Sequence, residues 1–276
     1  MKVVIGLLVA MALLPVSLAS ATTAVTIAGS TSVANVMEVL GEVYEQKTGI
    51  AVEVQGIGSS AGIVAAQNGT TMLGMSSRDI VNSELTADVQ TTVIAHDGIA
   101  IVINKSNPVE NLTVQEIKKI YRQEITNWKD VGGEDKPIIV VARESSSGTR
   151  DEFEKILGLK RTVNNIAVSD ISQRVQVANG NGMVKTLVAN NIYALTYISL
   201  GSVDGGLLVK AVKVDGVAAT DENIFSGDYK LARPFIILYK SDVAQAALDF
   251  VNYLMSDGGQ NIIAEQGYIN LKKSHD

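Results

Sequence analysis

The stretch Ala24-Val-Thr-Ile-Ala-Gly-Ser-Thr-Ser32 decides the fold. Ala24 to Ala28, rich in β-branched residues, reads as a strand. Beyond it, Val33, Val36, Met37, Leu40 and Val43 recur at helical spacing, so Val33 to Tyr44 reads as a helix. Between the two lies Ala28-Gly-Ser-Thr-Ser32, a turn of glycine and hydroxyl residues. The same order returns twice. Strand Ile50 to Val54 leads through Gly56-Ile-Gly-Ser-Ser-Ala-Gly62 into helix Ala61 to Gln67. Strand Ile138 to Ala142 leads through Arg143-Glu-Ser-Ser-Ser-Gly-Thr149 into helix Thr149 to Leu157. Ile99 to Ile103, Tyr193 to Ile198 and Phe235 to Tyr239 read as further strands. Thr113 to Tyr121 and Ala244 to Met255 read as helices, the first with a capping box of Thr113 and Glu116. This alternation predicts an α/β fold with mainly parallel sheets. Ligands of such sheets sit beyond the carboxyl ends of the strands.

The three turns share one chemistry. The first N–H groups of a helix lack an internal acceptor, and the helix dipole places partial positive charge there. Glycine lets backbone approach a ligand, and Ser and Thr hydroxyls rotate to donate, so a small oxyanion is the natural guest. One such turn is an ordinary helix cap; three, each after a strand, point to a site. Arg143 adds a bidentate donor suited to phosphate or carboxylate oxygens. Gly74-Met-Ser-Ser-Arg78 has a similar composition, which brings Ser77 and Arg78 into consideration.

Composition narrows the function classes. The 276 residues carry 23 Lys and Arg against 29 Asp and Glu, a formal charge of −6, whereas a nucleic-acid binder needs a basic footprint. There is no Cys, which removes disulfides, thiolate metal sites and cysteine nucleophiles. With only His96 and His275, a multi-histidine metal site is not expected, and neither is a resident cofactor. One rival motif stands. Gly58-Ser-Ser-Ala-Gly62 fits G-x-S-x-G, with Ser60 at the nucleophile position of a serine hydrolase. Such an enzyme needs a histidine base, and the two available are poorly placed: His275 lies in the charged tail and His96 directly precedes Asp97.

Taken together, the segments resemble one family. Ala28-Gly-Ser-Thr-Ser32, Gln55-Gly-Ile-Gly-Ser-Ser60, Gly74-Met-Ser-Ser-Arg78, Asp97-Gly-Ile-Ala-Ile-Val-Ile-Asn104 and Arg143-Glu-Ser-Ser-Ser-Gly-Thr-Arg150 occur in the order found there. Val209 to Gly216 and Tyr229 to Phe235 also match. The set resembles the substrate-binding protein of the phosphate ABC transporter, the PstS family, over about Thr26 to Gly267. The resemblance implies a two-lobed type II periplasmic-binding-protein fold with two crossovers and the ligand in the interlobe cleft. Lobe I would hold 22–103 plus 226–276, and lobe II 104–225. It implies phosphate ligands at Thr31, Ser32, Ser59, Arg143, Ser147, Gly148 and Thr149, with no catalytic residue. In the better-known members an Asp follows the first Ser of Gly74-Met-Ser-Ser-Arg78; here Ser77 stands there, followed by Arg78, as in a Ser-Ser-Arg subgroup. That departure raises the question of which group accepts the proton of hydrogen phosphate. Asp97 is the first candidate and Glu144 the second, because a buried acceptor rejects fully ionised sulfate.

The expected protein is therefore a non-enzymatic receptor that captures inorganic phosphate for the permease subunits of an ABC importer. A receptor for another tetrahedral oxyanion, such as sulfate or molybdate, is the alternative; a monomer is expected. Met1-Lys2, the apolar run Val3 to Leu14, Pro15 and Ala19-Ser-Ala21 read as a signal peptide cleaved near Ala21. About twelve apolar residues are too few for a span of about 20. No Cys follows the run, so no lipid anchor is expected, and the location would be periplasmic or cell-surface.

Overall fold

The structure, a computed structural model, describes residues 24–203 and 208–271. The segment read as a signal peptide and the tail with His275 lie outside them. In chain order the strands are β1 (Val25–Gly29), β2 (Val52–Gly56), β3 (Leu73–Ser76), β4 (Val89–Asn104), β5 (Asn111–Leu112), β6 (Ile139–Arg143), β7 (Lys160–Val163), β8 (Ile166–Ser169), β9 (Gln176–Ala178), β10 (Ala194–Ser199), β11 (Val209–Ala211), β12 (Lys213–Val214) and β13 (Ala232–Lys240). The helices are α1 (Thr31–Thr48), α2 (Ser59–Gln67), α3 (Val114–Tyr121), α4 (Gly148–Ile156), α5 (Gly180–Ala189), α6 (Asp221–Phe225), α7 (Gln245–Met255) and α8 (Asp257–Glu265). Among the described residues, no helix is long and apolar enough to cross a membrane.

The fold is α/β and two-lobed. In the first half, α1 lays Val33, Val36, Met37, Leu40 and Tyr44 against β1, β2 and β3, and Gly49 ends the helix in the left-handed region at φ 74°. Ile27, Leu73, Met75, Ile94, Phe235, Ile237 and Phe250 complete that core. In the second half, Ile99, Ile101 and Ile103 face a core with Ile117, Trp128, Phe153, Leu195 and Tyr197. Ala100 and Val102 face the opposite way, against Val141, Val184, Val188 and Ile198. Both faces of β4 are therefore covered there, which is why its sequence is continuously apolar instead of alternating.

Two strands tie the halves together. β4 runs for 16 residues: its first part pairs with β13, and its last part pairs with β10 and β11. Gly98 pairs with Ala232, and the Ile99 N–H donates to Leu231 O at 2.7 Å. The sheet order is β2-β1-β3-β13-β4-β10-β6-β9, with β11 also on β4. Pairing is parallel where the strand-turn-helix units repeat, at β1–β2, β1–β3, β10–β6 and β6–β9. It is antiparallel wherever β4 or β13 takes part. The expectation of mainly parallel sheets is corrected on that point, because the two crossing strands return in opposite directions.

Candidate functional site

The N-terminal residues of four helices of at least nine residues, α1, α2, α4 and α5, lie against one another: Ser32 against Thr149 and Asn181, and Ser59 against Gly148. Three of them are the turns read from the sequence. Ser30 caps α1, its Oγ accepting the N–H groups of Ser32 and Val33 at 3.2 and 3.4 Å. Ser147 caps α4 by accepting the Arg150 N–H at 3.2 Å. α2 starts directly at Ser59, with Gly58 before it at φ 95°.

The hydroxyls at these ends meet. Ser32 Oγ lies 3.1 Å from Thr149 Oγ1, joining the first lobe to the second. Ser59 Oγ accepts the Ser77 N–H at 3.1 Å and lies 3.5 Å from Ser77 Oγ. Ser30 Oγ donates to Ser77 Oγ at 2.8 Å. Gly148 packs so tightly here that a Cβ on it would stand 2.2 Å from Ser59 Oγ. Ser32, Ser59, Ser77, Ser147 and Thr149 are all buried.

Two buried guanidiniums flank this group. Arg143 donates bidentately to Glu144, from Nε at 2.9 Å and Nη2 at 2.8 Å, to Asn181 Oδ1 at 2.6 Å, and to Thr31 Oγ1 at 3.0 Å. Arg233 donates to Asp97, to Ser77 Oγ and to Ser32 Oγ. Burial works to raise the Glu144 carboxyl, but the hydrogen bonds and charge of Arg143 prevail and hold it below its ordinary value. Burial pushes the Asp97 carboxyl above its ordinary value against the pull of Arg233. The same burial lowers Arg233, opposed by Asp97.

Of the residues read from the sequence, Thr31, Ser32, Ser59, Ser77, Arg143, Ser147, Gly148 and Thr149 come together, with Asp97 behind Arg233. Arg78 goes elsewhere. Its guanidinium binds Glu84 at 2.8 and 2.6 Å, Asp151 at 3.2 Å and Ser60 Oγ at 3.2 Å. Asp151 is on α4, so this contact bridges the lobes at the rim, as does Lys155 to Asp79 at 2.6 Å.

Two residues escaped the sequence reading. Asn181, buried, donates to Ser32 Oγ at 3.0 Å and to Ser202 Oγ at 3.2 Å. Its signal was Asn179-Gly-Asn-Gly182, a further glycine-rich turn before a helix, which lacks the Ser and Thr hydroxyls of the other three. Arg233 was visible as a cation at the head of the apolar run Phe235 to Tyr239.

A family model described as the PBP superfamily domain matches residues 16–258. A protein of Clostridium perfringens, described as a phosphate ABC transporter substrate-binding protein and solved with bound phosphate, is 42% identical. The match covers 90% of this chain and 100% of that one, with a TM-score of 0.84. An ABC-type phosphate transport receptor from Vibrio cholerae is 45% identical over 89% of this chain and 99% of its own, with a TM-score of 0.73. The phosphate-binding protein PstS of Borreliella burgdorferi is 29% identical over 90% of each chain. The chain belongs to the PBP superfamily and, within it, to the PstS family of phosphate-binding proteins.

Proposed function

We propose that this protein captures inorganic phosphate between its lobes and delivers it to the permease subunits of an ABC importer. The observation that carries the reading is the convergence of four helix N-termini with Ser32, Ser59, Ser77, Thr149 and Arg143 in one buried cluster spanning both lobes. Thr31, Ser147 and Gly148 belong to the same grip through backbone N–H groups and close packing. A dehydrated tetrahedral anion satisfies many donors at once, and donors from both lobes favour the closed form. The acidic charge of the chain is no obstacle, because dipoles and guanidiniums are local.

The relatives named above bear phosphate-binding names, which supports phosphate over other oxyanions. Ser76-Ser77-Arg78 supports a place in a Ser-Ser-Arg subgroup. We place the lobe limits at Gly98–Ile99 and Leu231–Arg233, since Ile99 and Leu231 pack in the second core whereas Ile94 and Phe235 pack in the first. Limits at 103/104 and 225/226 would cut across that packing. An exported location with the signal peptide removed fits a receptor that must meet its ligand outside the membrane.

A non-enzymatic role is favoured at Ser60. Its Oγ faces the Arg78 guanidinium, which cannot take a proton, and a nucleophilic serine needs a base there. Competition among phosphate, sulfate and molybdate for the purified protein tests the function. Phosphate should displace the other two; preferential binding of sulfate or molybdate would assign a different substrate.

A further inference from the structure

Arg233 stands at the head of β13, where the chain crosses between the lobes, and its side chain is wholly enclosed. Its Nε and Nη2 donate to Asp97 Oδ2 at 3.1 and 2.8 Å. Nη1 reaches Ser77 Oγ at 3.4 Å and Nη2 reaches Ser32 Oγ at 3.1 Å. A buried ion pair is commonly no more stabilising than apolar residues of the same volume. The pair therefore gains its significance from where it aims its remaining donors, at the two serines of the anion cluster.

Hydroxyl valence sharpens this. A serine oxygen has two lone pairs and one hydrogen. Ser32 Oγ accepts from Asn181 Nδ2 at 3.0 Å and from Arg233. Ser77 Oγ accepts from Ser30 Oγ at 2.8 Å and from Arg233. With both lone pairs engaged, each hydroxyl has only its hydrogen to offer. Asp97 is turned to the guanidinium: Oδ2 takes both Arg233 bonds, and Oδ1 faces the Gly201 N–H at 3.5 Å.

We propose that Arg233 is a second anion-binding guanidinium alongside Arg143, and that Asp97 is a positioning residue acting on the ligand only through Arg233. Arg233 also fixes Ser32 and Ser77 as donors. This rests on the phosphate reading of the cleft. It gives Asp97 a different task from accepting the phosphate proton, and the two tasks separate in the ratio of anion affinities. A proton acceptor discriminates phosphate from sulfate; a residue that aims a donor serves both alike.

The test is calorimetric titration of phosphate and of sulfate into the native protein and into Asp97→Asn, Arg233→Gln and Arg233→Lys. Arg233→Gln should weaken phosphate at least about tenfold, as loss of a charge-assisted donor does. Arg233→Lys should recover part of that loss. Asp97→Asn should weaken phosphate and sulfate by the same factor, and sulfate undetectable in the native protein should stay undetectable. A narrowed phosphate-to-sulfate gap in Asp97→Asn overturns the proposal, and so does native affinity in Arg233→Gln. Should the single variants not fold, the double variant Asp97→Asn/Arg233→Gln removes both buried charges together. It should melt cooperatively yet bind phosphate weakly, and native affinity in it overturns the proposal. Failure of the native protein to bind phosphate would instead sink the phosphate reading itself.

Discussion

Gly148→Ala separates binding from stability. Gly148 is the first residue of α4 and is not among the residues with positive φ, so alanine fits its backbone. In the separated lobes the added methyl is neutral or slightly favourable to the helix. In the closed lobes it would stand 2.2 Å from Ser59 Oγ and 2.9 Å from both Ser59 Cβ and Ser77 Oγ. Contact between carbon atoms is comfortable only at about 3.5–4.0 Å. Turning Ser59 aside relieves its oxygen but not its Cβ. It also breaks the bond from the Ser77 N–H, worth about 1 kcal/mol. Overpacking adds about 1–3 kcal/mol. The sum, about 2–4 kcal/mol, weakens phosphate about 30- to 1,000-fold. Titration calorimetry reads the affinity, and a thermal melt without phosphate reads the stability. The melting temperature should hold or rise while affinity falls. Native affinity, or a drop in both together, would refute the idea that α4 closes directly onto Ser59.

Two further predictions follow from the charges. Arg78 bridges the lobes through Asp151 while holding Glu84, but its partners are 39% and 28% exposed in their side chains, so screening limits the effect to about 0.5–1 kcal/mol. Arg78→Gln should weaken phosphate about two- to fivefold in calorimetry and reduce the response of affinity to added salt. The carboxyls of Glu84, held by hydrogen bonds from Arg78, and of Glu144, where Arg143 overcomes burial, lie below their ordinary values. A depressed carboxylate contributes stability that is present above its ordinary pKa and lost as pH falls through its folded pKa. The melting temperature should therefore drop as pH is lowered below about 4. Glu144→Gln should flatten part of that drop in a pH series of melts.

Much of the fold was legible because the responsible signals are local. Thr113 and Glu116 form the expected capping box, and α1 buries the face that its spacing announced. That helix begins two residues earlier than the apolar spacing from Val33 indicated, at Thr31, because Ser30 caps it and draws the hydroxyl turn into its first turn. The first part of β4 was not read: Gln90, Thr91 and Thr92 give it a polar look, and only pairing with β13 makes it a strand. α8 begins Asp257-Gly-Gly, which argues against a helix locally, yet it packs beside α7. For the site, the three turns carried their own signature. Which carboxylate meets which arginine did not, because Asp97 and Arg233 are 136 positions apart and meet only through the register of β4 and β13.

The most direct measurement is a titration of inorganic phosphate into exhaustively dialysed protein, native and Arg143→Gln. The native protein should saturate at one phosphate per chain, and Arg143→Gln should lose most of that affinity. No binding, or binding that Arg143→Gln leaves untouched, would contradict it.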